Sequence, residues 1–222
     1  MEMKNKKMLE EKFKNLINEN KNFVFLNGNK KILISAPHAV EQTREGKIKY
    51  SEPETALIAL SLNTLGFPCI IKTTNENDDV NYDLESEYKK KLLSYCKEND
   101  IKFILDLHQL SPARDVDICL GTGNDQNCNL VDKQYLLSTI TNEIDKSKFN
   151  YKINFPYAAS GIRTISGYMS SLKYSSLQLE INCKLISDYC NGQNFEEVCQ
   201  LIKNIVLNVE KDITEYENTI SK

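Results

Sequence analysis

Apolar and polar positions along this chain switch repeatedly between the period of a helix and the period of a strand. The helical patterns cover residues 4–20, 53–65, 83–98, 130–146 and 194–213. The strand patterns cover residues 23–26, 31–35, 69–73, 102–107, 115–120 and 177–181, the first two forming either a hairpin or two successive strands. Strands that alternate with helices predict an α/β fold, a three-layer sandwich around a mixed, mostly parallel sheet.

The 222 residues are enough for one sizeable core, and no segment rich in Pro, Gly or Ser divides the chain. We therefore expect a single domain over residues 1–222, with residues 1–22 as an N-terminal helix packed on it. The formal charge of −3 is spread as alternating Lys and Glu without a basic stripe, which argues against nucleic-acid binding.

The apolar segments and the cysteines bear on location. No apolar run is long enough to span a bilayer, and residues 1–7 lead into a charged helix, so we expect a cytoplasmic protein with no membrane partner. The seven cysteines show no Cys-x-x-Cys spacing and stand mostly inside apolar runs. Buried, reduced thiols are the expectation.

The chain has only two histidines, and each stands near a carboxylate just after or at the end of an apolar run. Two neutral imidazoles and one carboxylate form a catalytic zinc site with an open coordination position. Pro37 ends the preceding strand, and in the turn that follows, His38 and Glu41 share a face. The strand over 102–107 delivers His108 at its end, so we predict His38, Glu41 and His108 as ligands of one Zn²⁺. The alternative is two ordinary imidazoles of the core or surface.

Three acidic residues flank these ligands. Asp106 shares the strand face of His108 and either orients a ligand or hydrogen-bonds nearby backbone. Glu52 and Glu54 are interpreted as charges in the first turn of the next helix.

Glu180 is a carboxylate inside the apolar strand pattern of residues 177–181. A glutamate beside a metal-bound water can take its proton and later pass it to a leaving amine, so Glu180 is the predicted general acid/base. A structural glutamate, paired with Lys or backbone at a sheet edge, is the alternative.

The chain resembles the N-formylglutamate amidohydrolase family, which is related in fold to zinc carboxypeptidases and succinylglutamate desuccinylases. The motifs that carry the resemblance occur in order over residues 30–185. They are Ser35–His38 (Ser-Ala-Pro-His), Asp106–His108 (Asp-Leu-His), Asp117–Gly121 (Asp-Ile-Cys-Leu-Gly), Asn154–Tyr157 (Asn-Phe-Pro-Tyr) and Gln178–Asn182 (Gln-Leu-Glu-Ile-Asn). The resemblance implies a zinc-dependent amidohydrolase on a phosphorylase/hydrolase-like α/β fold, with His38, Glu41 and His108 as ligands and Glu180 as acid/base.

Two arginines typical of the family are replaced in this chain, by Tyr82 in Asp79–Tyr82 and by Cys183 after the glutamate motif. Guanidinium groups recognise carboxylates through two hydrogen bonds, so the substrate-binding residues have to be sought elsewhere. We predict Arg163 first, then Arg114, together with Asn81. A salt-bridged surface arginine is the alternative for both arginines.

The remaining arginine, Arg44, belongs to the polar segment 43–50 beside the metal. The favoured function is cleavage of the amide bond of an N-acyl amino acid or a similar small carboxylate. A zinc carboxypeptidase acting on short peptides or peptidoglycan is the nearest rival. A catalytically lapsed metal-binding or interaction domain is the alternative outside enzymes.

Overall fold

The computed structural model describes residues 6–127 and 133–220, with side chains omitted for 133–135 and 220. Seven strands of this part form one sheet in the order β1-β5-β2-β6-β9-β7-β8, and two further strands, β3 and β4, form a separate hairpin. The strands are β1 (Phe23–Leu26), β2 (Ile32–Ala36), β3 (Gln42–Arg44), β4 (Lys47–Lys49), β5 (Cys69–Lys72), β6 (Phe103–Leu110), β7 (Ile118–Gly121), β8 (Tyr151–Ile153) and β9 (Ser175–Asn182). The helices are α1 (Lys6–Asn18), α2 (Pro53–Asn63), α3 (Glu87–Glu98), α4 (Lys133–Asp145), α5 (Ile165–Ser171), α6 (Cys183–Ile186) and α7 (Phe195–Ile220).

The sheet is mixed and mostly parallel, as the sequence predicts. Strands β5, β2, β6 and β9 run parallel to one another, and β8 runs parallel to β7. The antiparallel pairs are β1 with β5 and β7 with β9. β1 and β2 are therefore successive strands rather than a hairpin, because β5 lies between them.

Alternate residues of the central strands serve two separate cores. Ile32 and Ile34 of β2 face the larger core, which residues of α1, α2, α4 and α7 complete. Leu33 between them faces a smaller core that α3 and α5 cover. Because side chains of a strand alternate between faces, this is the three-layer sandwich that the pattern predicts.

The functional residues continue the face of the smaller core toward the carboxyl ends of the strands. On β6, the apolar Ile104 is followed on the same face by Asp106 and His108. On β9, Gln178 and Glu180 pair in register with those two residues. The sheet thus changes from apolar to polar along one face, at the edge where open α/β sheets bind their ligands.

Several local predictions are wrong or incomplete. β6 extends to Leu110, so His108 lies inside the strand and not after it, since pairing with β9 continues that far. The polar segment 43–50 contains the β3–β4 hairpin, closed by Gly46 in the left-handed region. The pattern of apolar positions does not predict β8, α5 and α6, which are all short. Residues 4–5 and 130–132 of two predicted helices lie outside the described residues.

The expectation of reduced thiols is wrong for one pair of cysteines. Cys183 and Cys190 form a disulfide that links the start of α6 to the turn after it. Four others, Cys69, Cys96, Cys119 and Cys199, are free and buried, as expected. Cys128 lies outside the described residues.

Within the described ranges, no helix combines the length and apolarity needed to cross a membrane.

The larger core predicts how substitutions affect stability. Ile32 is fully buried on β2, and Ile48 on β4 is 62% exposed. Truncating Ile32 to Ala removes apolar contacts and leaves a cavity, which costs about 2–5 kcal/mol of the free energy of unfolding. Ile48→Ala is the matched control and is expected to stay within about 0.5 kcal/mol of the wild type. Urea unfolding measures both, and equal effects would contradict this assignment of the core.

Candidate metal centre

A cleft of about 410 Å³ lies beside the carboxyl ends of β2, β6 and β9. Its walls include both histidines, Glu180, and the segment 156–160 that follows β8. The turn at Pro37 ends β2, as predicted, and leaves His38 buried at the base of the cleft. Residues from distant parts of the chain therefore meet at one edge of the sheet.

Three side chains direct ligand atoms toward one point in this cleft: His38, Glu52 and His108. The two Nδ1 atoms are 3.1 Å apart. Glu52 Oε1 lies 3.3 Å from His38 Nδ1, and Glu52 Oε2 lies 3.3 Å from His108 Nδ1. Ligands held at zinc distances in a tetrahedral site are about 3.3 Å apart, so the three residues have the spacing of a metal site.

A second layer of carboxylates fixes the orientation of both imidazoles. His38 Nε2 lies 2.9 Å from Asp79 Oδ1, and His108 Nε2 lies 3.1 Å from Asp106 Oδ2. A carboxylate only accepts, so each Nε2 carries a proton, and the Nδ1 of each ring, which faces the centre, can bind a metal ion when the ring is neutral. Metal-binding histidines are held in this way by carboxylates in many proteins.

The carboxylates are held in turn by further groups. Asp106 Oδ1 accepts a hydrogen bond of 2.9 Å from Ser35 Oγ. Asp79 Oδ2 accepts one of 2.8 Å from Arg44 Nε, which belongs to the β3–β4 hairpin. Of the two alternatives for Asp106, this geometry favours the one in which it orients His108. The β3–β4 hairpin is connected to the centre through the contact of Arg44 with Asp79.

The centre favours positive charge. Burial alone would raise the pKa of Glu52, but the charge of His38 and hydrogen bonds with His108 and His38 hold it well below its usual range. Burial would lower the pKa of His108, but the negative charges and hydrogen bonds of Asp106 and Glu52 raise it well above its usual range. Two facing Nδ1 lone pairs need a cation between them, and a proton or a metal ion can supply it.

Glu41, the predicted third ligand, does not belong to this group. Its side chain is exposed, and Glu52 occupies the position instead. The interpretation of Glu52 as a helix charge is therefore wrong. Its backbone N–H bonds His38 O at 2.7 Å, and its Oε2 accepts from the backbone N–H of Gln109 at 3.0 Å. Periodicity does not predict this long-range placement. The one local signal is that Glu52 directly precedes the proline that begins α2, which puts it at a helix start.

Glu180 lines the cleft beside these ligands and is buried. It pairs with His108 across β6 and β9, and Gln178 Nε2 donates to Glu180 Oε1 at 2.7 Å. Burial raises the pKa of Glu180 to about 7. The negative charge of Glu52 adds to this effect, and the positive charge of His108 opposes it. A carboxyl group with this pKa exchanges protons readily near neutral pH.

Two arginines reach the cleft, and both contact the Tyr82 ring. The guanidinium carbon of Arg163 lies 4.6 Å from the ring centroid, and that of Arg44 lies 5.0 Å from it. Arg163 Nη1 also donates to Tyr82 O at 3.1 Å. Tyr82, where the resemblance leads one to expect an arginine, is thus in contact with two arginines in the wall of the cleft.

The other predicted substrate-binding residues lie differently. Asn81 lines the cleft, but its Oδ1 accepts a hydrogen bond of 2.7 Å from the backbone N–H of Ile165, which connects it to α5. Arg114 does not line the cleft; it stacks on Tyr157, which does, with 5.7 Å between its guanidinium carbon and the ring centroid.

Comparison with solved structures identifies the architecture. The structure matches N-formylglutamate amidohydrolase from Ralstonia eutropha with a TM-score of 0.56 at 12% identity, over 88% of this chain and 97% of that one. The chain has the fold of N-formylglutamate amidohydrolase. The same fold relates it to the gene product Atu2144 of Agrobacterium tumefaciens, with a TM-score of 0.65 at 12% identity, over 88% of this chain and 96% of that one.

A protein from Shewanella denitrificans predicted to be a carboxypeptidase A also shares the N-formylglutamate amidohydrolase fold. The TM-score is 0.55 at 12% identity, over 93% of this chain and 69% of the other. No protein-family model matches the sequence, and no curated protein does either. The predicted relation of the fold to zinc carboxypeptidases is confirmed.

The geometry predicts which glutamate binds metal. Glu52→Gln removes a ligand charge and is expected to weaken zinc binding by at least about 100-fold, because a carboxylate ligand must be ionised. Glu41→Gln is the matched control and is expected to leave zinc affinity within about twofold of the wild type. Calorimetric titration of zinc into the metal-free proteins measures both. The reverse order of effects would contradict the ligand set and reinstate Glu41.

The outer carboxylates give a second prediction. Asp79→Asn keeps the shape of the side chain but removes the charge that fixes the Nε2–H tautomer of His38, so zinc affinity falls about 10- to 100-fold. Asp188→Asn, which alters an exposed acid outside the cleft lining, controls for a general loss of negative charge. An unchanged affinity in Asp79→Asn would contradict the role given to this carboxylate.

Proposed function

We propose that this protein is a zinc-dependent hydrolase that cleaves the amide bond of an N-acyl amino acid or a similar small carboxylate. The observation that carries the proposal is the meeting, in one cleft, of three convergent ligand atoms and a buried carboxyl group, Glu180, that is not one of them. This combination is typical of metal-assisted hydrolysis. The shared fold of N-formylglutamate amidohydrolase supports the amide as the bond attacked.

Zinc is the metal that the ligands favour, since two imidazole nitrogens and a carboxylate leave a fourth position open in a tetrahedral site. His38, Glu52 and His108 would hold it. When bound, zinc would polarise a substrate carbonyl and lower the pKa of a water molecule.

Glu180 would handle the proton. Its raised pKa allows it to accept a proton from water and then to donate that proton to the departing nitrogen. Gln178 fixes one carboxylate oxygen by donating to it, so the other oxygen is left to act. Burial of this carboxyl group keeps bulk water away from the transfer.

Arg163 and Arg44 support a substrate that carries a carboxylate. Arg44 is already paired with Asp79, whereas the contacts of Arg163 leave part of its guanidinium open to the cleft. Arg163 is therefore the proposed carboxylate anchor, held in position by its stacking on Tyr82. Asn81 serves indirectly through α5, and Arg114 supports the rim through Tyr157.

A peptidase acting on short peptides or peptidoglycan is the closest rival, because the fold is shared with a protein predicted to be a carboxypeptidase A. Both substrates end in a carboxylate next to an amide. A screen of zinc-loaded protein against N-acyl amino acids and short peptides separates them. We expect N-acyl amino acids to be hydrolysed faster. A preference for peptides would favour the rival, and no hydrolysis of either class would favour a metal-binding domain without activity.

Glu180→Gln tests the proton role. The amide cannot accept a proton from water, so kcat is expected to fall at least about 1,000-fold while zinc affinity stays within about twofold. Zinc titration and steady-state kinetics on the same preparations measure the two quantities. Retained activity would contradict the assignment of Glu180, and lost zinc binding would make it a ligand.

Arg163→Met tests the anchor. Loss of a charged hydrogen bond to the substrate carboxylate is expected to raise KM about 10- to 100-fold with a smaller effect on kcat. Arg114→Met is the matched control, since Arg114 lies outside the cleft lining, and we expect a change in KM of less than about threefold. Equal effects of both substitutions would contradict the choice of Arg163.

A further inference from the structure

The side chain of Gln178 has a carbonyl oxygen without a hydrogen-bond donor. Gln178 is 4% exposed and lines the cleft. Among the described residues, three buried side-chain atoms lack a partner: Thr74 Oγ1, Ser166 Oγ and Gln178 Oε1. The first two are hydroxyls outside the cleft lining. A buried acceptor that stays unpaired costs about 1–3 kcal/mol, so a ligand donor is the natural partner of Gln178 Oε1.

The orientation of this amide is determined by its neighbour. Gln178 Nε2 donates to Glu180 Oε1 at 2.7 Å, and in the ionised form, which is the form that takes a proton from water, Glu180 cannot donate in return. The amide therefore keeps its nitrogen toward Glu180 and its oxygen turned away from it. Any donor that reaches the oxygen lies next to the group that transfers the proton.

The neighbouring strand has no side chain where it would crowd Gln178. Gly121 of β7 pairs with Gln178 of β9, and a Cβ at Gly121 would lie 3.2 Å from the Cβ of Gln178. The same Cβ would lie 3.0 Å from the Cβ of Ala159, in the segment 156–160 of the cleft wall. Gly121 thus lets the wall and the glutamine approach closely, which confines what can reach Oε1.

We propose that Gln178 Oε1 accepts the N–H of the scissile amide, which makes the protein selective for secondary amides over esters and N-alkylated amides. The proposal rests on the proposed amide hydrolysis and names the part of the substrate that is recognised. In hydrolysis the oxygen of water bonds to the acyl carbon and the C–N bond breaks. The proton that Glu180 takes from water passes to the departing nitrogen, which Gln178 holds beside it.

The test compares matched substrates in matched variants. The probes are N-formyl- and N-acetyl-L-glutamate, each paired with the 2-acyloxyglutarate ester in which oxygen replaces N–H. For each zinc-loaded protein, the ratio of kcat/KM for amide over ester is measured. Gln178→Met also weakens the hold on Glu180, and an amine leaving group needs that proton donor more than an alkoxide does. The same ratio is therefore also measured for N-formyl-L-glutamate over N-formyl-N-methyl-L-glutamate, because both release an amine and only the first has an N–H for Gln178 Oε1. We expect both ratios to fall at least about tenfold in Gln178→Met.

Gln109→Met, which alters another glutamine of the cleft wall, is expected to keep the wild-type ratio within about twofold. If Gln178→Met does not fold, Gln178→Asn replaces it, because the shorter side chain moves the acceptor away by one methylene. The ratio of kcat/KM for amide over ester is also expected to fall in Gln178→Asn. An unchanged ratio in the Gln178 variants, or an equal fall in Gln109→Met, overturns the proposal. Esters are intrinsically more reactive than amides. If the wild-type ratio of kcat/KM for amide over ester reflects only this intrinsic difference, the proposal fails while the proposed function stands. Absence of hydrolysis of every N-acyl amino acid and peptide contradicts the proposed function itself.

Discussion

Two imidazole lone pairs that face each other across 3.1 Å are the constraint on which the site depends. The arrangement is unfavourable unless a positive charge lies between them, and Glu52 adds a negative charge from a third direction. The surrounding polar groups serve to hold the rings in this pose. Asp79 and Asp106 fix the tautomers, and the β3–β4 hairpin is tied to the centre because Arg44 holds Asp79.

The fold could be predicted from the sequence because its signals are local. Apolar runs locate the buried central strands, and the period of 3.6 residues locates most helices. The division of strand side chains between the two cores comes from the structure. Short elements such as β8 and α5 cannot be predicted from periodicity, because three to seven residues are too few to show a period. The extent of β6 depends on its pairing with β9, which no local period reports.

The site could be predicted only in part. His108 and Glu180 stand out because they are polar residues inside apolar strand patterns, and His38 stands out because it is one of only two histidines. Glu52 does not stand out, since a glutamate before the proline that starts a helix is ordinary in sequence. Its role comes from hydrogen bonds with His38 and Gln109, which lie 14 and 57 residues away in sequence. Ligand sets that assemble over such separations are a property of the tertiary structure.

Tyr82 stands where the resembled motif has an arginine, and its ring contacts two other arginines. The aromatic ring gives Arg44 and Arg163 a common surface, so positive charge still faces the cleft although it comes from other segments. The second replacement, at Cys183, has a different outcome, because this cysteine forms a disulfide with Cys190.

X-ray absorption spectroscopy of the zinc-loaded protein tests the central claim most directly. We expect two imidazole nitrogens at about 2.0–2.1 Å and a carboxylate oxygen at about 2.0–2.2 Å from the metal, with the imidazole signal halved in His38→Ala. A sulfur ligand at about 2.3 Å, or a shell without imidazole, would contradict it.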